Sequence, residues 1–281
     1  MSFAAEYLAQ LESFAACCAL PHVRALHLPP PLTDENRDTN KGEFCALELD
    51  DGALGLSYVL LDDTLDALHR EEGGFALAGA DALAVARGYL DGTGLRKTLG
   101  FAAANALTRC LYDRAGFVPP PAGDSIGQID PRPGEPIGMI GLFKPLLGRI
   151  LDSGARLTVV ELNPALAGAR EGYVVTLDAA VLADCTKVVS TSTLLLNDTL
   201  DRMLSDCRNA CWFALIGPSA GCLPDALFAR GVTLLGGNWV TERAGFIDAL
   251  QRGESTSPYA RKTALTPATY PGFDALLARL K

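Results

Sequence analysis

The run Ile137-Gly138-Met139-Ile140-Gly141-Leu142-Phe143-Lys144-Pro145, with the segment Arg156-Leu157-Thr158-Val159-Val160-Glu161-Leu162 that follows it, decides the fold. Ile137 to Leu142 reads as an apolar strand, Lys144 to Asp152 as a helix whose proline suits a first turn, and Arg156 to Leu162 as a second strand. That βαβ unit requires a right-handed crossover and therefore parallel strands. The alternation continues downstream. Lys187 to Ser190 is a strand followed by a helix over Asn197 to Cys207; Cys211 to Ile216 is a strand followed by a helix over Pro224 to Arg230. Val232 to Leu235 is a last strand before a helix over Glu242 to Leu250, and Phe273 to Leu280 reads as a closing helix. Residues 137–281 thus read as a Rossmann-like, doubly wound parallel sheet, an α/β domain.

Upstream, Pro119, Pro120, Pro121, Pro131, Pro133 and Pro136 crowd one short stretch, which prolines keep out of helices and central strands; residues 119–136 read as a linker. Residues 1–118 have the opposite order, sheet first and helices after. A helix over Ala4 to Ala19 leads to an alternating strand, Val23 to Leu28. Two further strands, Glu43 to Leu49 and Ala53 to Leu61, are joined by the turn Asp50-Asp51-Gly52, and helices follow over Ala80 to Leu90 and Leu95 to Ala115. This is a small α+β domain.

The composition suits a globule: of 281 residues, 49% are apolar and 20% charged. A net charge of −9 excludes a surface for nucleic acid or anionic membrane, both of which need a concentrated basic patch. The start Met1-Ser2-Phe3-Ala4-Ala5-Glu6 lacks the basic opening of a signal peptide and no apolar run reaches membrane-spanning length, so the expected location is the cytoplasm. The eight cysteines show no C-x-x-C pair and read as reduced thiols within the fold.

In an open α/β sheet, ligands bind beyond the carboxyl ends of the strands. The first such loop contains Gly138, Gly141 and Lys144 but neither G-x-G-x-x-G nor G-K-[ST]; its glycines serve a tight turn or let a backbone approach a ligand. Glu161 ends the second strand, twenty residues after Gly141, where such folds often place a carboxylate on a ribose. Thr191, Ser192, Thr193 and Asn197 follow the third strand, and their hydroxyls and amide suit either a helix cap or an oxyanion. Gly217, Pro218 and Ser219 follow the fourth, and Gly236-Gly237-Asn238 the fifth. His22 and His27 are five apart on or beside a strand and face opposite sides, and Cys207 and Cys211 straddle a helix end and a strand, so neither pair prepares a metal site.

Three of these segments, Ile137 to Leu146, Ser190 to Thr199 and Leu215-Ile216-Gly217-Pro218-Ser219-Ala220, resemble in order and spacing the putative heavy-metal chelation family. Phe228 to Gly237 is similar to that family too, and Gly55-Leu56-Ser57-Tyr58 and Leu99 to Ala106 resemble its companion domain, which has an enolase N-terminal-like fold. The resemblance implies an enolase N-terminal-like α+β domain packed on a Rossmann-like domain, with a site between them. It implies handling of a heavy metal, or steps in making pterins, flavins or siderophores. By position, Gly141, Lys144, Glu161, Thr191, Thr193, Asn197, Gly217, Pro218 and Ser219 would line the Rossmann side, and Asn105 would reach in from the helical domain.

Three functions follow as expectations. The chain binds, and on one reading transforms, a metal or a metal-chelating small molecule in the interdomain cleft. Alternatively it is a transferase using S-adenosylmethionine or a nucleotide, with Glu161 on the ribose, or a non-catalytic chaperone or sensor in metal homeostasis. No histidine falls in the loops, so any acid–base chemistry rests on Glu161 or Lys144. The expected partners are a small molecule or metal chelate and, in a homodimer, a second copy.

Overall fold

The computed structural model describes residues 1–33, 43–70, 77–124 and 126–280. The N-terminal half opens with α1 (Phe3–Cys17), whose first turn is capped by Ser2 accepting from the Ala5 amide at 3.3 Å. Strands β1 (Val23–His27), β2 (Phe44–Leu49) and β3 (Leu54–Tyr58) form a three-stranded antiparallel sheet in that order. The expected turn joins β2 to β3: Gly52 sits at φ +88°, and Asp51 accepts from the Ala53 amide at 3.0 Å. Helices α2 (Thr64–Arg70), α3 (Ala82–Asp91) and α4 (Gly94–Arg114) complete the small α+β domain.

Every residue of α4 from Thr98 to Thr108 is buried, as expected of a helix enclosed on all sides. Its small residues allow this. A Cβ on Gly100 would fall 2.1 Å from the Tyr89 amide of α3, and one on Gly55 of β3 would fall 2.0 Å from the Ala102 carbonyl of α4. Glycine at both positions lets three elements close to backbone contact.

The second half contains β4 (Pro136–Ile140), α5 (Lys144–Leu151), β5 (Arg156–Val160), β6 (Gly168–Arg170), β7 (Tyr173–Thr176) and β8 (Lys187–Thr191). It continues through α6 (Leu200–Asp206), β9 (Trp212–Ile216), α7 (Asp225–Phe228), β10 (Leu234–Gly236), β11 (Asn238–Val240), α8 (Arg243–Gln251), β12 (Ala260–Lys262) and α9 (Phe273–Ala278). A seven-stranded sheet has the order β10-β9-β8-β4-β5-β7-β6, parallel except for the antiparallel edge strand β6. Alternate residues feed two cores, as a strand's two-residue period requires. Ile137, Met139, Leu157, Val159, Val189, Ala214 and Leu234 pack on one face, while Ile140, Val160, Val188, Phe213, Leu215 and Leu235 pack on the other.

Several expectations are corrected. The sequence reading omits β6, β7 and the β11–β12 pair, all short. The helix expected from Asn197 starts instead at Leu200, because Ser192–Leu195 forms a 3₁₀ turn and Asp198, at φ +59°, interrupts the helical path. Residues 119–136 are not a free linker. The Ala122 amide donates to the Lys262 carbonyl at 3.0 Å, the Ala264 amide donates to the Pro120 carbonyl at 3.1 Å, and Ile126 and Ile129 are buried against the sheet.

The two halves interlock. Val240, Phe246 and Leu250, from β11 and α8, pack against Ala46, Leu54 and Leu56 of the antiparallel sheet, and α7 and α9 pack on α1. Arg230 clasps the same junction, donating to both Glu6 oxygens at 2.8 and 3.1 Å and holding that carboxyl below its usual range. Among the described residues no helix is long and apolar enough to cross a membrane.

Because Gly55 meets a helix backbone and not a yielding side chain, Gly55→Ala should destabilise the protein by about 3 kcal/mol, read as a shifted urea midpoint with an unchanged slope. A variant as stable as wild type would show that β3 and α4 separate without cost.

Candidate functional site

The chain starts its parallel sheet at β4, builds β5 and β7 to one side, then returns to place β8 on β4's other edge, so the switch point lies between β4 and β8. Protein fills that point. Gly141, at φ +82°, abuts Thr191: a Cβ there would lie 3.1 Å from the threonine methyl. Glu161 accepts from the Leu142 amide with one oxygen and from the Leu162 amide, at 3.1 Å, with the other. A carboxylate expected on a ribose thus staples the first loop to the end of β5.

The remaining sequence candidates are placed as follows. Gly138 lies inside β4 and not in a loop; a Cβ there would meet Leu182 at 2.8 Å. Lys144 is exposed at the start of α5. Thr191 and Thr193 bond each other at 2.8 Å, and Thr191 caps the 3₁₀ turn by accepting from the Thr193 amide. Asn197 accepts from the Thr199 hydroxyl at 2.6 Å. Ser192 and Ser219 are buried and share a 3.0 Å hydrogen bond, which Gly217 permits, since a Cβ there would fall 2.2 Å from the Ser192 hydroxyl. Of the two roles open to this hydroxyl loop, the visible one is capping.

Asn105 is only 2% exposed and faces protein, not solvent. Its Nδ2 donates to the carbonyls of Leu56 at 2.8 Å and Ser219 at 3.0 Å, and its Oδ1 accepts from the Tyr7 hydroxyl at 3.2 Å. Expected to hold a ligand, this amide has both of its N–H donors and one of its two acceptor positions taken up by three protein segments.

The open space lies farther along the sheet, where the loops after β9 and β10 face the antiparallel sheet across a cavity of about 510 Å³. Gly217 and Pro218 line it, as does the loop Gly236-Gly237-Asn238. Phe44 and Leu56 come from the N-terminal half, Phe143 and Pro145 from the first loop, and Phe246 from α8. The polar rim holds Glu43, Asp124, Gln128, the hydroxyls of Ser255, Thr256 and Ser257, and Lys262 beside Thr263. Apolar walls with a few convergent polar groups are the ordinary make-up of a small-molecule site.

Most of these rim residues escape sequence reasoning, because the cleft is assembled from segments 43–56, 122–128 and 254–264, which carry no shared motif. The usable signal is the Gly236-Gly237 pair: a Cβ on Gly237 would fall 2.4 Å from the Ala220 carbonyl, so two loops meet backbone to backbone.

Burial pushes the Glu43 carboxyl above the usual range. Tyr58 is pushed up to about 12 by burial and by the charges of Glu43 and Glu161. The buried thiols of Cys45, Cys207 and Cys222 rise to about 12 for the same first reason, and stay protonated at neutral pH.

The chain matches the family described as putative heavy-metal chelation over residues 124–269, and a second family of the same description over residues 42–108. The chain belongs to the first of these families, DUF364. Its structure is similar to that of a protein of unknown function from the DUF364 family of Desulfitobacterium hafniense, with a TM-score of 0.66 at 20% identity over 92% of this chain and 99% of that one. A DUF364 protein of unknown function from Pyrococcus horikoshii matches with the same score, identity and coverage. No curated protein matches the chain.

The family description implies a metal, and the described residues do not fit a bare ion. Among the described residues no three His, Cys, Asp or Glu side chains gather into a group that could hold one. His27 is paired with Glu48 at 2.9 Å, and the buried cysteines are neutral thiols.

Two outcomes are expected. Glu161→Gln presents an amide to one of two backbone donors, so hydrogen exchange of the Leu142 or Leu162 amide should speed up by about tenfold; unchanged protection of both would remove the stapling role. Glu43 holds its proton more tightly folded than unfolded, so its burial costs nothing below the unfolded pKa and destabilises as pH rises through the folded value. Glu43→Gln should therefore raise the melting temperature over wild type near pH 8 and not near about pH 4. A gain that is equal at both would show that the carboxyl does not titrate differently on folding.

Proposed function

We propose that the interdomain cleft binds a small organic molecule of the metal-chelating kind, pterin-, flavin- or siderophore-like, free or already carrying its ion, and that the protein does not grip a bare ion itself. The observation that supports this reading is the pairing of a large, aromatic-walled cavity with the lack, among the described residues, of any clustered set of metal ligands. Membership of a family described as putative heavy-metal chelation supplies the metal side of the reading. In a chelate, the organic part provides the donors, and the protein needs only to recognise the organic surface. Phe44, Phe143 and Phe246 offer apolar and aromatic contact, while the Ser255 to Ser257 hydroxyls and Asn238 suit the ligand's oxygens and nitrogens. Lys262 lines the cleft where Lys144 does not, and takes over the role of charge partner for an anionic group.

The test sets bare ions against organic ligands in one thermal-shift and native mass spectrometry series. Zinc, nickel and copper salts alone should give no one-to-one complex near neutral pH. At least one member of a panel of pterins, flavins and catecholate or hydroxamate chelators should raise the melting temperature with its concentration. Lys262→Glu, an exposed change, should weaken an anionic member by about tenfold or more. A one-to-one complex with a bare ion, indifferent to Lys262→Glu, would overturn the reading. Stabilisation by S-adenosylmethionine or a nucleotide alone would favour the transferase.

A further inference from the structure

The cleft has two chemically different ends, and the parallel sheet sets how far apart they stand. The loop after β4 supplies Phe143, the loop after β10 supplies Asn238, and both line the same cavity. β10 and β4 are three places apart in the order β10-β9-β8-β4, and neighbouring strands lie about 4.8 Å apart, so the cavity spans about 14 Å. Phe44 belongs to the β4 end. It lies opposite Tyr58 with ring centroids 5.6 Å apart, and Tyr58 feels the charge of Glu161, the residue that follows β5, as well as that of Glu43.

At the β10 end, the ribbon of β11 and β12 turns one face to the cleft. Asn238 pairs with Lys262 and Val240 with Ala260, and directly paired residues share a face. Val240 and Ala260 pack with Leu56, Phe246 and Leu250, all three of which line the cleft, so the two-residue period puts Asn238 and Lys262 on the cleft side of the ribbon. The other face is engaged within the protein: the Arg109 guanidinium sits 3.7 Å from the Trp239 ring centroid, and Arg261 donates to the Pro119 carbonyl at 2.9 Å. Neither the Asn238 nor the Lys262 side chain has a hydrogen-bond partner or ion pair among the described residues. Lys262 is also the one cation among the described residues that line the cleft. Three carboxylates line it too, but Glu254 is paired with Arg252 at 3.2 Å, and Asp124 accepts from the Ile126 and Gln128 amides at 3.0 and 2.9 Å. The third, Glu43, stands at the far end. An amide and an ammonium side by side, both with free donors, are the make-up of an oxyanion site.

We infer that the cleft takes its ligand in one direction, with a flat aromatic ring at the Phe44 and Phe143 end and an oxyanion, carboxylate or phosphate, on the Lys262 ammonium and the Asn238 amide. The inference rests on the reading of the cleft as an organic-ligand site and narrows it: the ligand is a ring that carries an acidic tail, not a compact ring or a neutral chelate. The tail needs reach, since ring and oxyanion are held by loops about 14 Å apart. Glu43 opposes the reverse orientation, because a carboxylate beside the ring end repels an oxyanion placed there.

The probes are matched pairs that cannot chelate a metal: naphthylbutanoate with its primary amide, and naphthylpropyl phosphate with naphthylpropanol, titrated into the full-length protein and followed by naphthalene fluorescence. At least one anion should bind about tenfold more tightly than its neutral counterpart, and the pair with the larger advantage tells carboxylate from phosphate. Lys262→Met should bring that anion to the affinity of its neutral counterpart, while leaving the neutral probe within about twofold. Asn238→Asp keeps the side chain's size, sets a negative charge beside Lys262, and should remove the same advantage. Phe143→Ala should weaken the anionic and neutral probes alike. Nuclear Overhauser contacts should join the ring protons to Phe143 and the tail methylenes to Lys262. Equal affinity within both pairs, an advantage that survives Lys262→Met, or no binding of any probe would overturn the inference. Chelators that bind while both pairs show no preference fail the inference alone; the expected preference with no chelator bound fails only the reading of the cleft as a chelate site.

Discussion

The buried carboxamide of Asn105 is the constraint on which the cleft depends. Three chain segments converge on it: β3 through the Leu56 carbonyl, the loop after β9 through the Ser219 carbonyl, and α1 through Tyr7. Hydrogen bonds in a water-free junction are strong, and leaving any partner unpaired there is expensive. Leu56 and Pro218, the residue beside Ser219, are both cleft walls. The amide therefore sets how far apart the two halves of the site stand. Tyr7 also bonds Thr108 at 2.6 Å, one turn along α4 from Asn105, so the bolt is held at two points.

Around that bolt, packing fixes orientation. The parallel sheet has two apolar faces, and only one of its cores extends into the N-terminal half, where Tyr89 meets Tyr7 edge-on with ring centroids 6.4 Å apart and Phe101 at a tilt with centroids 4.6 Å apart. The other face is closed by α5 and by Ile126 and Ile129 from the segment before β4. α8 crosses over to cover the small antiparallel sheet, anchored by Arg243 to the buried Glu48 at 3.4 Å. Each half thus supplies a layer of the other, which is how a cleft between them can have walls from both and still be rigid.

How much of this was legible in the sequence follows from what each signal measures. Apolar runs between turn residues gave the order of strands and helices, because burial on both faces of a parallel sheet leaves that trace in contiguous residues. The short pairs β6–β7 and β11–β12 left none, being three or four residues long and largely exposed or half-buried. Asn105 entered only through the family resemblance, which did not give its target, since a buried amide satisfied by protein and one aimed at a ligand look alike in one dimension. The same holds for Glu161, whose position at a strand end was visible but whose partners, two backbone amides, belong to a loop geometry that spacing does not encode. Gly217 and Pro218 were read as lining residues from a glycine-rich strand exit and do face the cavity.

The location of the cavity has a physical cause. In nucleotide-binding sheets the glycines of the first loop leave room for phosphate at the switch point. Here Gly141 uses its freedom to meet Thr191, and Glu161 neutralises the Leu142 amide that such a phosphate would seek. With the switch point sealed, the open space falls where β9 and β10 end against the other half, and its walls exist only when both halves are docked. A ligand there contacts Leu56 on one side and Pro218 on the other, the same segments that Asn105 ties together. Binding and docking are consequently linked: whatever holds the two halves in register favours the cleft, and whatever fills the cleft favours the register by its affinity for that state alone.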